Sequence, residues 1–232
     1  MSGRSSNSAS VILLVLLAAT IAGVLVTFGS DGFSQSATTV IGIARMQIGA
    51  APADFTFART GQGGESQWAV VSDPTAFGDR VIEQKSTDRT DNRFPLAIFE
   101  PLVAKNVDVS LSFKPAGGRV DQAGGIAVRL IDPDNYYVVR ANALEDNVRL
   151  YRVVKGRRVQ IHGVDTKVTS NEWHTLRLKA EDERFTIGFD GKTLFTSTDK
   201  TLANAGKVAL WTKSDSVTRF DQIAIDVLPP RK

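Results

Sequence analysis

Short apolar runs with a period of two constrain this chain more than any other feature. Val107, Val109, Leu111 and Phe113 fall on one side of an extended segment; Ile126, Val128 and Leu130 do so in another, with Arg129 opposite. Val148, Leu150 and Val154 repeat the pattern against Arg149 and Tyr151, and Leu176 and Leu178 alternate with Arg177 and Lys179. Phe185, Ile187 and Phe189 continue it, then Val208 and Leu210, then Ile223, Ile225 and Val227. Successive side chains of a strand point to opposite faces, so each run predicts a strand with one face in a core. No segment beyond residue 40 carries a long helical period.

The intervals between runs are turns with a mechanism. Asp132-Pro133-Asp134-Asn135 joins two runs: proline presets φ, and Asp and Asn tolerate tight-turn geometry. Asp190-Gly191 between two apolar runs is a two-residue hairpin signal, and Lys155-Gly156-Arg157 is another turn. Roughly a dozen short strands in one domain predict an all-β fold, a two-sheet antiparallel jelly-roll sandwich. Trp68 and Trp173 read as core. Gly61-Gln62-Gly63-Gly64 follows no clear strand and reads as a flexible loop.

Residues Val11 to Gly29 are apolar and uncharged, with Arg4 before them and Asp31 after. The run is nearly as long as the ~20 residues that cross a bilayer as a helix, whereas a signal-peptide apolar core runs to about 7–15. Ser34-Gln35-Ser36 offers small residues for cleavage before Ala37, and Thr20-Ile21-Ala22 offers an earlier site. The expected division is therefore residues 1–36, one N-terminal hydrophobic helix acting as signal peptide or membrane anchor plus a linker, and residues 37–232, the sandwich domain. Val40 to Ile48 suits a first strand or the end of that linker. The charge asymmetry around the run predicts export, to a bacterial periplasm or the outer face of the inner membrane.

Composition excludes several chemistries. With 28 basic and 25 acidic residues the formal charge is +3, too balanced for a nucleic-acid partner, which demands a basic face. There is no cysteine, hence no disulfide, zinc-thiolate site or thiol nucleophile. The two histidines, His162 and His174, lack metal-ligand spacing, so no metal or other cofactor is expected. The Asp132, Asp134 and Asn135 oxygens suit calcium in type, but the segment reads as a simple turn. A carboxylate pair at E-x-D-x-x-E spacing, a G-x-S-x-G elbow, a P-loop and a dinucleotide fingerprint are all missing. Glu181-Asp182-Glu183 is the densest acidic cluster and reads as a solvated turn.

A polar and aromatic constellation remains in the middle strands. If Ile126, Val128 and Leu130 face the core, Arg129 faces away. In the next run Tyr136, Arg140 and Asn142 share one parity, and Tyr137, Val139 and Ala141 the other. In the third, Arg149 and Tyr151, with Asn147, oppose Val148 and Leu150. Arg129, Tyr136, Arg140, Asn142, Arg149, Tyr151 and Trp211 are thus the candidate ligand-binding residues of one outer face, with Lys213 beside them. Aromatic rings stack on sugar faces, and planar Arg and Asn groups bond hydroxyls, so a glycan is the expected ligand. The competing reading is a cross-strand ladder that only stabilises a solvated face, with Trp211 in the core.

The strings DPDNYYVVRANALEDNVRLY and GKVALWTKSDSVTRFD resemble the concanavalin A-like lectin/glucanase superfamily, and within it exported bacterial 3-keto-disaccharide hydrolase domains, also labelled family 16 glycoside hydrolase-like. The resemblance spans about residues 50 to 228. It implies two curved antiparallel sheets whose concave face hosts the ligand, and action on a keto-glycoside. The family 16 carboxylate motif is absent from this sequence, so no catalytic residue is carried over. Three functions follow as expectations: an exported carbohydrate-binding module without the usual carboxylate pair, a glycoside-cleaving enzyme of the keto-sugar type, and a membrane-tethered envelope interaction protein.

Overall fold

The computed structural model describes residues 38–230. The expected N-terminal helix and its cleavage sites lie outside the described residues. Among the described residues, no helix is long and apolar enough to cross a membrane.

Among the described residues, fifteen strands build two antiparallel sheets. The eight-stranded sheet contains β1 (Thr38–Val40), β3 (Trp68–Ser72), β4 (Arg80–Gln84), β6 (Val107–Gly117), β11 (His174–Glu181), β12 (Arg184–Phe189), β13 (Lys192–Thr198) and β15 (Val217–Val227). Its order is β13-β12-β11-β6-β15-β4-β3, with β1 also paired to β15. The seven-stranded sheet contains β2 (Phe55–Gly61), β5 (Arg93–Ala104), β7 (Ala123–Asp132), β8 (Asn135–Asn142), β9 (Asn147–Val154), β10 (Arg157–Asp165) and β14 (Gly206–Trp211), in the order β10-β9-β8-β7-β14-β5-β2. The fold is the all-β jelly-roll sandwich that the alternation predicts. Val40 to Ile48 resolves into the end of β1 and a short 3-10 turn, Ile43–Arg45, with Ile41 and Ile43 buried.

The alternating residues meet between the sheets. Val107, Val109, Leu111, Phe113, Leu176, Leu178, Phe185 and Ile187 from one sheet pack with Ile126, Val128, Tyr137, Val139, Val148, Leu150 and Leu210 from the other. β8 lacks an exposed face because both its faces are covered. Tyr137, Val139 and Ala141 enter the inter-sheet core, while Tyr136 and Val138 enter a second cluster with Phe94, Leu96, Tyr151, Val153 and Trp211. Every residue of that second cluster belongs to the seven-stranded sheet, so it lies on the face turned away from the other sheet.

The hairpins set the register. Lys155 and Gly156 have φ of 51° and 73°, and Asp190 and Gly191 have 45° and 75°, the two positive values that a two-residue type I′ turn needs. The first turn pairs Val154 with Arg157 and Val153 with Arg158. The Asp132 turn is closed by its own carboxylate, which accepts the Asp134 N–H at 2.8 Å and the Asn135 amide at 2.9 Å. Gly61 to Gly64 departs from the loose loop expected of it. It ends β2 and is tied down: Asp88 accepts the Gly64 N–H at 2.6 Å, and Arg93 Nε donates to the Gly64 carbonyl at 2.9 Å. Those contacts come from residues far along the chain and leave no mark in the glycine run itself.

Candidate functional site

The seven-stranded sheet presents its outer face through odd positions of β7, β9 and β14 and even positions of β8. One expected member is not there. Strict alternation sends Arg129 outward, but a β-bulge interrupts the β7 pairing, and Arg129 has φ of 51°. The bulge packs against Gly206, where a Cβ would stand 2.4 Å from the Arg129 carbonyl carbon. The guanidinium is thereby re-aimed toward the inter-sheet rings of Tyr137 and Phe185, 5.9 and 5.3 Å from their centroids. It donates to the backbone carbonyls of Lys105, Leu202 and Asp182. Arg129 therefore ties loops together at one end of the sandwich and does not line the outer face.

Tyr136 and Trp211 do share the outer face, but both are fully buried. The Trp211 indole N–H donates to the Tyr136 hydroxyl at 3.2 Å, which bonds Thr60 Oγ1 at 2.8 Å, which in turn donates to the Pro133 carbonyl. Burial pushes the Tyr136 hydroxyl up to about 12. Trp211 stacks on Phe94 with centroids 5.4 Å apart and planes at 17°. These two residues form the floor beneath the site, with their polar atoms already engaged.

Arg140, Asn142 and Tyr151 converge above that floor. Arg140 donates from Nη1 to Asn147, and from Nη2 to Glu145 at 2.7 Å and to the Tyr151 hydroxyl at 3.2 Å; its Nε is buried with no partner. Asn142 donates to Asp121 Oδ1 at 2.8 Å and accepts from the Leu144 N–H at 2.9 Å, so both ends of its amide orient protein groups. Lys213 closes the group, 2.7 Å from the other oxygen of Asp121 and 3.8 Å from exposed Asp91. Burial pushes Asp121 up against the opposing pull of Lys213 and Arg140. Burial acts the same way on Glu145, but Arg140 and Asn147 outweigh it and hold Glu145 below its usual range. Arg149 lies at the periphery, paired with exposed Asp165 at 2.5 Å and crossing Gly163, where a Cβ would come within 2.1 Å of its Cδ.

Arg158 completes the cluster, and the outer-face parities of β7–β9 do not reach it. Its guanidinium sits 4.5 Å from the Tyr151 ring centroid, 4.6 Å from that of Phe94 and 5.8 Å from that of Trp211. The signal was present in the Lys155-Gly156 turn: a two-residue hairpin pairs Arg158 with Val153 and so places it on the face of Tyr151. Asp121 carried no such signal, because it precedes β7 in an irregular segment.

On the opposite sheet, a groove of about 170 Å³ opens beside Thr175, Gly188 and Thr193. Trp173, expected in the core, is half-buried near that sheet's outer face, with its N–H on Thr75 Oγ1 at 3.0 Å and Lys114 over its ring at 5.0 Å. His174 is buried between Asp190 and Thr169, with Nδ1 2.8 Å from Asp190 Oδ2. His162 stacks on Phe195. Among the described residues, no group of three or more His, Asp or Glu side chains is placed to hold a metal ion.

The family model for the galactocerebrosidase C-terminal lectin domain matches residues 107–228, more than half of the chain. The chain belongs to that lectin-domain family. The matched segment holds every strand from β6 to β15, and with them Asp121, Arg140, Tyr151, Arg158, Trp211 and Lys213. Solved structures share the lectin-domain fold at low identity. The carbohydrate-binding module CBM66 from Bacillus subtilis has a TM-score of 0.58 at 18% identity, over 73% of this chain and 94% of that one. The β-glucanase of Bacillus licheniformis has 0.55 at 10% identity, over 84% and 100%. A Bacillus subtilis protein of unknown function with a galectin-like fold has 0.54 at 10%, over 75% and 90%. No curated protein sequence matches the chain. The family and the fold together place it in the concanavalin A-like lectin/glucanase superfamily that its sequence resembles.

Proposed function

We propose that this chain is an exported carbohydrate-binding module whose site is the outer face of the seven-stranded sheet around Arg140, Tyr151 and Arg158. The observation that carries the reading is the convergence there of planar guanidinium, amide and carboxylate groups on an aromatic floor. Sugars offer apolar ring faces and rings of hydroxyls, and such a surface meets both. Membership of a lectin-domain family supports it. Residues 1–36 would deliver the domain across the membrane and either leave by cleavage or hold it at the outer face of the inner membrane. Mass spectrometry of the mature N-terminus separates the two.

The binding test is a glycan panel followed by calorimetric titration. Arg140→Ala removes charge-assisted hydrogen bonds, each worth about 1.5–3 kcal/mol, so affinity should fall by at least about tenfold, and Tyr151→Ala should act in the same direction. A panel without any ligand, or full affinity in both variants, would sink the proposal.

A second reading, cleavage of a glycosidic bond, has one observation in its favour. Asp121 and Glu145 lie in one cluster and are pushed in opposite directions, up and down, as an acid and a base of a hydrolytic pair would be. Against it, both Asp121 oxygens are occupied, by Asn142 and Lys213. Incubation with 3-keto-glycosides and their parent glycosides decides the matter; turnover that disappears in Asp121→Asn would put cleavage ahead of binding.

A further inference from the structure

We infer that the subsite at Arg158 receives the carboxylate of an acidic sugar, a uronate, within the glycan-binding face; this rests on the carbohydrate-binding reading. The arginines withdrawn from solvent differ in how far their guanidinium groups are paired. In Arg93, Nε, Nη1 and Nη2 donate to the carbonyls of Gly64, Ser214 and Glu65, and Asp88 stands 3.6 Å away. In Arg129, the same three nitrogens donate to three carbonyls. Arg140 is bonded to Asn147, Glu145 and Tyr151. Arg158 is half-buried, and among the described residues its side chain makes neither a hydrogen bond nor an ion pair; its Nη1 is buried without a partner. Only rings meet it.

A cation withdrawn from water without an acid is costly. Ring contacts recover part of that cost, but they satisfy no N–H. The neighbouring charges do not fill the gap. Glu145 is committed to Arg140, and Asp121 to Lys213 and Asn142, so pairing the cluster leaves one positive charge over, at Arg158. Burial works against its charged form, as does neighbouring Arg140, and the pull of Tyr151, Tyr136 and the more distant Asp121 does not outweigh them. What fits is a ligand that brings its own negative charge to the guanidinium and a sugar ring to the aromatic surface. A carboxylate matches the planar fork with two coplanar oxygens; a sulfate or phosphate ester also offers the fork a pair of oxygens, so the sulfated oligosaccharide below separates the two sources of charge.

The test titrates the full-length protein with an oligogalacturonate, with the same oligomer methyl-esterified, and with a sulfated neutral oligosaccharide. The free acid should bind at least about tenfold more tightly than its ester, the margin should shrink with added salt, and Arg158→Met should abolish the difference while Arg158→Lys restores part of it. The acid–ester comparison uses the wild-type protein, so it stands even if a variant fails to fold. Equal binding of acid and ester, or tighter binding of the sulfated sugar, overturns the carboxylate subsite and leaves glycan binding intact. Should no acidic or neutral sugar in a broad panel bind, both readings fall.

Discussion

On the outer side of the eight-stranded sheet, Glu83 and Asp73 grip Arg219 at 2.7 and 3.0 Å, and Asp73 also holds Lys114 at 2.5 Å. Arg219 lies directly across from Glu83 on β4 and from Lys114 on β6, so the sheet register itself brings the charges together. On the outer side of the seven-stranded sheet, Arg140, Lys213 and Asp121 are also buried or nearly so, with exposed Glu145 paired to Arg140, but Arg158 is left over. Both faces remove charge from water. One balances it internally, as a strut must; the other leaves an excess beside aromatic rings, which is what a recognition surface can use. Buried charge by itself therefore says little about function, and incomplete pairing says more.

The most forceful way to break this contrast is to unpair the strut. Asp73→Ala leaves Lys114 buried without its acid and should cost about 3–5 kcal/mol in denaturant unfolding, with glycan affinity unchanged. Arg158→Met removes a charge that had no partner and should move stability by no more than about 1 kcal/mol in either direction, because lost ring contacts and relieved desolvation oppose each other. If the two variants cost the same, the distinction between strut and recognition surface is wrong.

A smaller effect separates floor from surface. Tyr136→Phe deletes the hydroxyl that links Trp211 to Thr60, leaving buried partners unsatisfied, for a loss of about 1–3 kcal/mol. Sugar binding should survive, since the hydroxyl is internal. A large loss of affinity with little loss of stability would move Tyr136 into the contact surface.

Acid pH probes the two faces with opposite signs. Burial opposes ionisation of Asp73, but hydrogen bonds from Lys114, Thr75 and Arg219 win and hold it well below the usual carboxylate range. A depressed group takes up its proton more readily when unfolded, so it adds stability above the ordinary aspartate pKa of about 4. That stability is lost as the pH falls toward the folded value, and Asp73→Asn should flatten the acid limb of a stability–pH curve. Asp121 is raised by burial, so the folded state holds its proton longer. Its contribution is full below about pH 4 and declines as the pH climbs through the folded pKa. Asp121→Asn should therefore fare better relative to wild type as the pH rises from about 3 to 7. The same slope in both variants would mean that the two faces are electrostatically alike.

The smallest effect concerns the periphery. Arg149→Ala deletes a pair with exposed Asp165 and should change both stability and affinity by less than about 1 kcal/mol. A marked loss of sugar binding would bring Arg149 into the site.

The sandwich, the hairpins and most of one face are legible in the sequence. Period-two runs and Lys155-Gly156 or Asp190-Gly191 turns are local: a strand's face is set by its own alternation, and a two-residue turn fixes the register of its own hairpin. That is why alternation alone puts Tyr136, Arg140, Asn142 and Tyr151 on one face of the sheet. Parity fails where the backbone departs from regular pleating. The bulge at Arg129, allowed by a glycine nearly 80 residues later, turned an expected surface residue inward, and no pattern around residue 129 announces it. The tertiary structure alone also decided which polar atoms are already spent. It buried Tyr136 and Trp211 in a hydrogen-bonded floor, brought Asp121 from a loop to Lys213, and left Arg158 among three rings without an acid. Those are long-range pairings, and a one-dimensional pattern records which side chains share a face but not which of them have found partners.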